Sequence, residues 1–240
     1  MKARARAIWR LLAVQAAWTY ERMSGIGAGH AAAPLLAEAH APTAAIARSA
    51  TFFNSHPYLA GVVVGATVRA ERDEVAGEVV LRLRAALSGP LGAIGDQLVW
   101  AGEVPALMGL TLVLSLWLGW WSVVLALVIH NVLRLRLTIW SLDVGLRDGL
   151  GVGAALQRSW LPRAAAIAQR AAGFLVGLAI PVVGWRLLRN APLPTITVTV
   201  IVAVLGAALS LAVATRTRAT GLRLGLMLMG AAVLAAGVMP

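Results

Sequence analysis

The chain has 240 residues, 60% of them hydrophobic and only 13% charged, with a mean hydropathy of +0.80 and a formal net charge of +11. A soluble domain of this size needs far more polar surface, so the composition places the chain among polytopic membrane proteins. Cysteine is absent, which excludes a disulfide framework and thiol chemistry. The basic excess does not point to nucleic acid as a partner. Its arginines flank apolar stretches, as the positive-inside rule expects, and no RNA- or DNA-reading motif accompanies them.

Residues 1–20 place Lys2, Arg4, Arg6 and Arg10 beside an apolar run from Leu11. The run is short, passes into Tyr20-Glu21-Arg22 and offers no clear small-residue cleavage site. It reads as an uncleaved amphipathic helix on the cytoplasmic face, with Trp9, Leu12 and Gln15/Ala16 at helical spacing and the basic residues near headgroups. Gly25-Ile-Gly-Ala-Gly-His30 resembles half of a dinucleotide fingerprint but lacks the preceding strand, so a flexible turn is expected. The alanine-rich residues 31–50, punctuated by Pro34 and Pro42, read as short helices.

Residues 57–70 are apolar for about 14 positions, fewer than the roughly 20 that cross a bilayer. Followed by Glu71-Arg-Asp-Glu74, they read as one arm of a re-entrant hairpin. A break at Gly89-Pro90 then introduces a second short arm at 91–101. Two short, interrupted apolar segments near one another are a pointer to a transporter binding site. Spans are expected at 105–129, at 171–185 with an extension toward Ala164, at 195–214 and at 224–240. The intervening stretch 130–170 carries Arg134, Arg136, Arg147, Arg158, Arg163 and Arg170 against Asp143 and Asp148, and is expected in the cytoplasm together with the basic loop 215–223. The fold class is therefore all-α membrane protein, with interfacial amphipathic helices, re-entrant hairpins and about four transmembrane helices. Residues 1–104 form the hairpin-bearing region and 105–240 the transmembrane region of a single membrane domain.

The chemistry gathers in two polar, glycine-bearing stretches. Thr51–Gly65 holds Asn54 and His56; Leu87–Trp100 holds Asp96, Gln97 and Trp100. A carboxylate costs roughly 2.5–3.5 kcal/mol or more at membrane depth, so Asp96 needs a partner or a wet cavity. Carboxylate and amide groups pair with hydroxyls and an aromatic ring can stack on a pyranose, so Asp96, Gln97, Trp100, Asn54 and His56 are the candidate substrate-binding residues. Each has a structural alternative: Asp96 as the N-cap of a helix starting after Gly95, Trp100 as an interfacial anchor, Asn54 as a turn-former, His56 as a structural hydrogen-bonding group. Catalytic constellations are missing: there is no nucleophile elbow, no His-Glu-x-x-His and no Walker lysine, Lys2 being the only lysine. His30, His40, His56 and His130 have no close cysteine or histidine companion, so neither a metal nor any other cofactor is expected.

Three blocks in order, Tyr20-Glu-Arg-Met-Ser-Gly25, Phe52-Phe-Asn-Ser-His-Pro57 and Ser88-Gly-Pro-Leu-Gly-Ala-Ile-Gly-Asp96 with Trp100, resemble the IID membrane component of the mannose-family sugar phosphotransferase system (PTS). Asn131, Gly145 and Gly149 fit the same family's downstream helix. The resemblance implies a non-catalytic, non-phosphorylated subunit that pairs with a IIC membrane subunit in a hetero-oligomer of the bacterial inner membrane. It also implies import of a hexose-type sugar that the soluble IIA and IIB components phosphorylate through phosphohistidines, by an elevator-like movement against a scaffold to which 105–129 and 195–214 would contribute. Ser55, Ser88 and Gln97 depart mildly from the family pattern, and Arg72 replaces the second carboxylate of a pair that Glu71 begins. The C-terminal third is shorter than usual and keeps only hydropathy. A non-transporting scaffold or receptor derived from a IID and an intramembrane enzyme are the other classes; the missing nucleophile–base pair argues against the second.

Overall fold

The computed structural model describes residues 2–201 and 204–205, which are helical with no strand among them. Three helical stretches are long and apolar enough to cross a membrane: Gly77–Leu118, Trp121–Arg158 and Leu161–Arg186. Residues Met1–Val182 form one compact unit; Val183–Pro240 form a second, of which a helix at 193–201 is described. The span expected at 195–214 is helical as far as it is described, and the expected loop 215–223 and span 224–240 lie outside the described residues.

In the first unit, α1 (Lys2–Leu12) is amphipathic as expected, but its buried face is Ala3, Ala7 and Leu11, and Trp9 is 74% exposed. Alanine faces let α1 lie flat on α2 (Gly25–Glu38), while Arg4 binds Asp143 through two hydrogen bonds of 2.9 and 2.7 Å. The glycine run expected as a flexible turn is instead the first turns of α2, with Gly25, Gly27 and Gly29 each pressed against backbone or Cβ atoms of Thr51, Val14 and Ala50. Those glycines serve close approach, not flexibility. α2 runs through Pro34, and α3 (Thr43–Ser49) follows.

After a single 3-10 turn at Pro57–Leu59, α4 (Ala60–Arg72) is the most enclosed element; nearly every residue from Ala60 to Glu71 is buried. Thirteen residues reach about 20 Å, short of the roughly 30 Å hydrocarbon core, as a re-entrant arm requires. The break expected at Gly89-Pro90 is absent. α5 (Gly77–Leu98) continues through Pro90, passes a π turn at Val99–Glu103 and joins α6 (Val104–Leu118). Proline removes one helical hydrogen bond, and here it stands on an exposed face where the freed carbonyl need not be buried. The expected second arm at 91–101 is thus the continuation of α5 into the π turn.

The span expected at 105–129 is also corrected. α6 ends at Leu118, Gly119 takes φ +54° as its C-cap, and α7 (Trp121–Asp148) returns antiparallel to α6. Glycine adopts this left-handed conformation without the Cβ clash other residues meet, so the turn falls there. The stretch 130–170, expected as a loop, is the rest of α7, a 3-10 turn at Gly149–Gly151, α8 (Val152–Arg158) and the start of α9 (Leu161–Leu188). α9 contains the span expected at 171–185, extended past Ala164.

Candidate functional site

The core of the first unit is the crossing of α4 with α7. Gly61 and Gly65, four apart on α4, sit against Ser141, Leu142 and Leu146 of α7, and Gly145 sits against Val62 and Ala66 in return. A Cβ added at Gly65 would lie 2.6 Å from the Leu146 nitrogen, so the two backbones touch with no side chain between them. Small residues at this spacing allow such contact. At the far end of α4, Glu71 is buried and accepts two hydrogen bonds from Arg48, at 2.8 and 2.6 Å, while Arg72 reaches the Leu35 carbonyl. Glu71 is a strut between α3 and α4, and its guanidinium partner's pKa is raised by that hydrogen bond.

This fixed frame holds the segment 52–58 against α5. The Asn54 N–H donates to the Ser88 hydroxyl at 3.1 Å, and that hydroxyl donates back to the Asn54 carbonyl. About two turns further along α5, Gly95 meets His56 directly; a Cβ at position 95 would collide with the His56 Cβ and ring. The two polar stretches of the sequence therefore meet. His56 is 2% exposed, its Nδ1 accepts the Tyr58 N–H at 3.3 Å, and its ring lies edge-on to Tyr58 at 4.8 Å and 6.1 Å from Trp100. Its Nε2 is buried without a partner. Burial pushes the imidazole pKa down to about 4, against the pull of Asp96, so the ring is neutral at physiological pH.

Asp96, Gln97 and Trp100 are exposed, Trp100 by 58%. Asp96 stands in the last turn of α5, which excludes the N-cap reading: the helix began 19 residues earlier, at Gly77. Trp100 lies in the π turn, so Asp96 and Trp100 flank the edge of the buried His56 ring. The Asn54 side chain is exposed as well. These exposed groups form a polar ledge along α5, from Asn54 at the Ser88 level to Asp96, Gln97 and Trp100 near His56, with donors and acceptors suited to hydroxyls.

Behind the ledge is a polar chain the sequence reading missed. The Tyr58 hydroxyl is 3.1 Å from His130 Nε2, and His130 Nδ1 is 2.9 Å from Glu103 Oε1. Burial pushes the Tyr58 pKa up, so the phenol keeps its proton. The consistent arrangement has Tyr58 donating to Nε2 and Nδ1–H donating to Glu103, with the Arg134 guanidinium over the Tyr58 ring at 5.3 Å. Glu103 closes the π turn, an irregularity that recurs at functional sites. An ionisable residue within an apolar stretch was the available signal; its partners, 27 residues and more away, carried none. No group of three or more histidines, cysteines or carboxylates among the described residues is placed to hold a metal.

Comparison with known proteins places this architecture. The family model for the IID component of the PTS mannose/fructose/sorbose family matches residues 1–184. The sorbose-specific EIID component of Lacticaseibacillus casei is 31% identical over 155 residues, covering 62% of this chain and 54% of the relative. The chain spans about half the length of the curated relatives it matches. Among solved structures, a cryoEM complex of the mannose transporter ManYZ with microcin E492 shares the fold at TM-score 0.57 and 21% identity, covering 74% of this chain and 69% of that chain. A solved membrane-protein structure matches at TM-score 0.66 and 19% identity over 100% of this chain and 98% of that chain. The family blocks, the apolar helices and the match across three quarters of the sequence agree: the chain belongs to the IID components of the mannose/fructose/sorbose family of the PTS.

Proposed function

We propose that the chain is the sugar-translocating IID subunit of a mannose-type permease, acting with a IIC subunit in the bacterial inner membrane to import a hexose-type sugar. IIB phosphorylates that sugar at the expense of phosphohistidines, and this chain itself performs no catalysis. The observation that carries the reading is the meeting of the two polar stretches: His56 packs on Gly95 near Trp100 and within the field of Asp96, Asn54 is tied to Ser88, and Asp96, Gln97, Trp100 and Asn54 are all exposed. A sugar held there has protein on one side only. A translocation path therefore needs a second subunit to close it, and the resembled IIC is the subunit of that kind. The fixed α4–α7 frame suits rigid-body movement of the ledge, as an elevator step requires. The sugar's route and orientation follow the positive-inside rule, with the arginines of α7, α8 and early α9 toward the cytoplasm.

The test is sugar affinity of the purified IIC–IID complex. Asp96→Asn keeps size and removes charge-assisted hydrogen bonds worth about 1.5–3 kcal/mol each, so affinity should fall roughly ten- to a hundredfold with the complex still assembled. Trp100→Ala should weaken binding more than Trp100→Phe. Unchanged sugar affinity in Asp96→Asn would move the site elsewhere and favour the non-transporting scaffold reading.

A further inference from the structure

A cavity lies between α7 and α9 with α5 and α6 behind it, adjoining Tyr58 and Glu103 of the polar chain. Its volume is about 590 Å³, within the range of small-molecule pockets. The lining is almost wholly apolar: Leu107, Leu133, Leu137 and Ala164 form its body, and Trp140 and Trp160, edge-on at 5.2 Å, stand at one end. Two cations complete it, Arg134 and Arg136. Arg134 is engaged within the fold, donating to the Leu12 carbonyl and lying over the Tyr58 ring. Arg136 is exposed and forms no ion pair among the described residues, whereas the carboxylates of α7 are both taken, Asp143 by Arg4 and Asp148 by Arg147. Glu103, also in the lining, is bound to His130.

The position of this cavity along α7 identifies its occupant. Trp120 and Trp121 stack at the α6–α7 turn, and Trp140 is 19 residues from Trp121, about 28 Å along the helix. That distance matches the roughly 30 Å hydrocarbon core, so the two tryptophan levels are the two aromatic belts of one bilayer. Arg136 sits about 6 Å from the Trp140 level, near enough for its exposed side chain to reach the headgroups. An apolar crevice opening beside the unpaired Arg136 guanidinium at headgroup level matches an acyl chain carrying a phosphate. We infer that the crevice between α7 and α9 is a binding site for an anionic phospholipid of the arginine-side leaflet, its acyl chain along Leu107, Leu133 and Ala164 and its phosphate on Arg136. The inference rests on the membrane reading and not on sugar transport.

Native mass spectrometry of the full chain in detergent tests this, with phosphatidylglycerol and phosphatidylcholine of matched chains added separately and melting followed in parallel. Phosphatidylglycerol should remain bound and raise the melting temperature; phosphatidylcholine should do so at least tenfold less well. Arg136→Gln should cut phosphatidylglycerol retention about tenfold while leaving the lipid-free melting temperature unchanged. Ala164→Phe, which fills the crevice, should abolish retention of both lipids. Glycerol 3-phosphate, the headgroup without chains, should neither bind nor stabilise. Equal retention of the two lipids, equal retention by wild type and Arg136→Gln, or stabilisation by glycerol 3-phosphate alone would each overturn the site. Displacement of the lipid by a co-purified IIC subunit would also overturn it, showing the crevice to be a subunit contact.

Discussion

The two sides of α7 are packed in opposite ways. Toward α4 its backbone meets backbone, through Gly145 on one helix and Gly61 and Gly65 on the other. Toward α9, Trp140 and Trp160 hold the helices apart and leave a crevice of about 590 Å³. The first contact has no slack and carries the ledge residues on a fixed frame. The second has room between α7 and α9, although α9 meets α6 and the π turn closely, with Gly109 against the Leu175 backbone and Gly102 against Ala168; Gly173 and Gly177 of α9 have nothing within 4 Å of where a Cβ would stand. One helix thus separates a closed interior from a surface left open for lipid or another subunit. Membrane helices gain no hydrophobic drive from lipid, so close contact has to come from small residues and polar bonds. The α4 side has the small residues at its crossing with α7, and Glu71–Arg48 ties the end of α4 to α3.

The largest expected effect tests that difference directly. Gly65→Leu forces a branched side chain onto the Leu142 carbonyl and the Leu146 nitrogen, backbone atoms that cannot rotate away. Overpacking of this kind costs about 1–3 kcal/mol where side chains can yield and more here, enough to remove most folded protein. Gly173→Ala on α9 should instead be neutral or stabilise by up to about 1 kcal/mol, since alanine is the better helix former and meets only open space. Both are read as yield and melting temperature in detergent. Equal losses at the two positions would show that the α9 side is as tightly packed as the α4 side.

How legible this was in the sequence depended on the physical signal each feature leaves. Helical class, membrane location and the family blocks were plain, because hydropathy and motif order survive without coordinates. The 105–129 span was misread because hydropathy is blind to direction: Pro105 to Ile129 is uniformly apolar, and the turn is one glycine at Gly119 followed by Trp120. Pro90 was read as a break although an exposed helix face tolerates proline. The convergence of Asn54 and His56 on the Asp96 stretch was anticipated from two interrupted segments, and the Gly61-x-x-x-Gly65 spacing was there to be read as a crossing point. The Tyr58–His130–Glu103 chain was not foreseen, since it joins the 3-10 turn, the π turn and the body of α7 over 72 residues of sequence.

The next effect is pH-dependent and belongs to the closed side. His56 has its pKa lowered to about 4 from the ordinary 6.5 because charging it would bury a cation. The unfolded chain then binds the extra proton between these values, so stability is complete above about pH 6.5 and declines as pH falls toward 4. The loss from this group is bounded at about 3 kcal/mol. Melting temperature should therefore drop between pH 7 and pH 4.5, and His56→Gln should flatten that part of the profile. An identical profile in His56→Gln would mean that the imidazole is solvated in the folded protein and lies outside the closed interior.

The smallest effect marks where the closed side ends. Asp96 is exposed, caps no helix and makes no hydrogen bond among the described residues; its one resolved interaction is the attraction that holds the His56 pKa up. Asp96→Asn should accordingly change stability at pH 7 by no more than about 0.5 kcal/mol, as for surface positions generally. It should still be felt by His56. Without the neighbouring anion, nothing opposes burial, and the imidazole titration followed by NMR should move to lower pH than in the wild type. A melting loss of several kcal/mol in Asp96→Asn would make Asp96 a structural member of the closed frame. An unmoved His56 titration would separate the carboxylate from the ring and break the ledge into unrelated surface groups. A small stability change together with a shifted titration is the signature of a charged group that the fold places against a buried ring and leaves open on its other side.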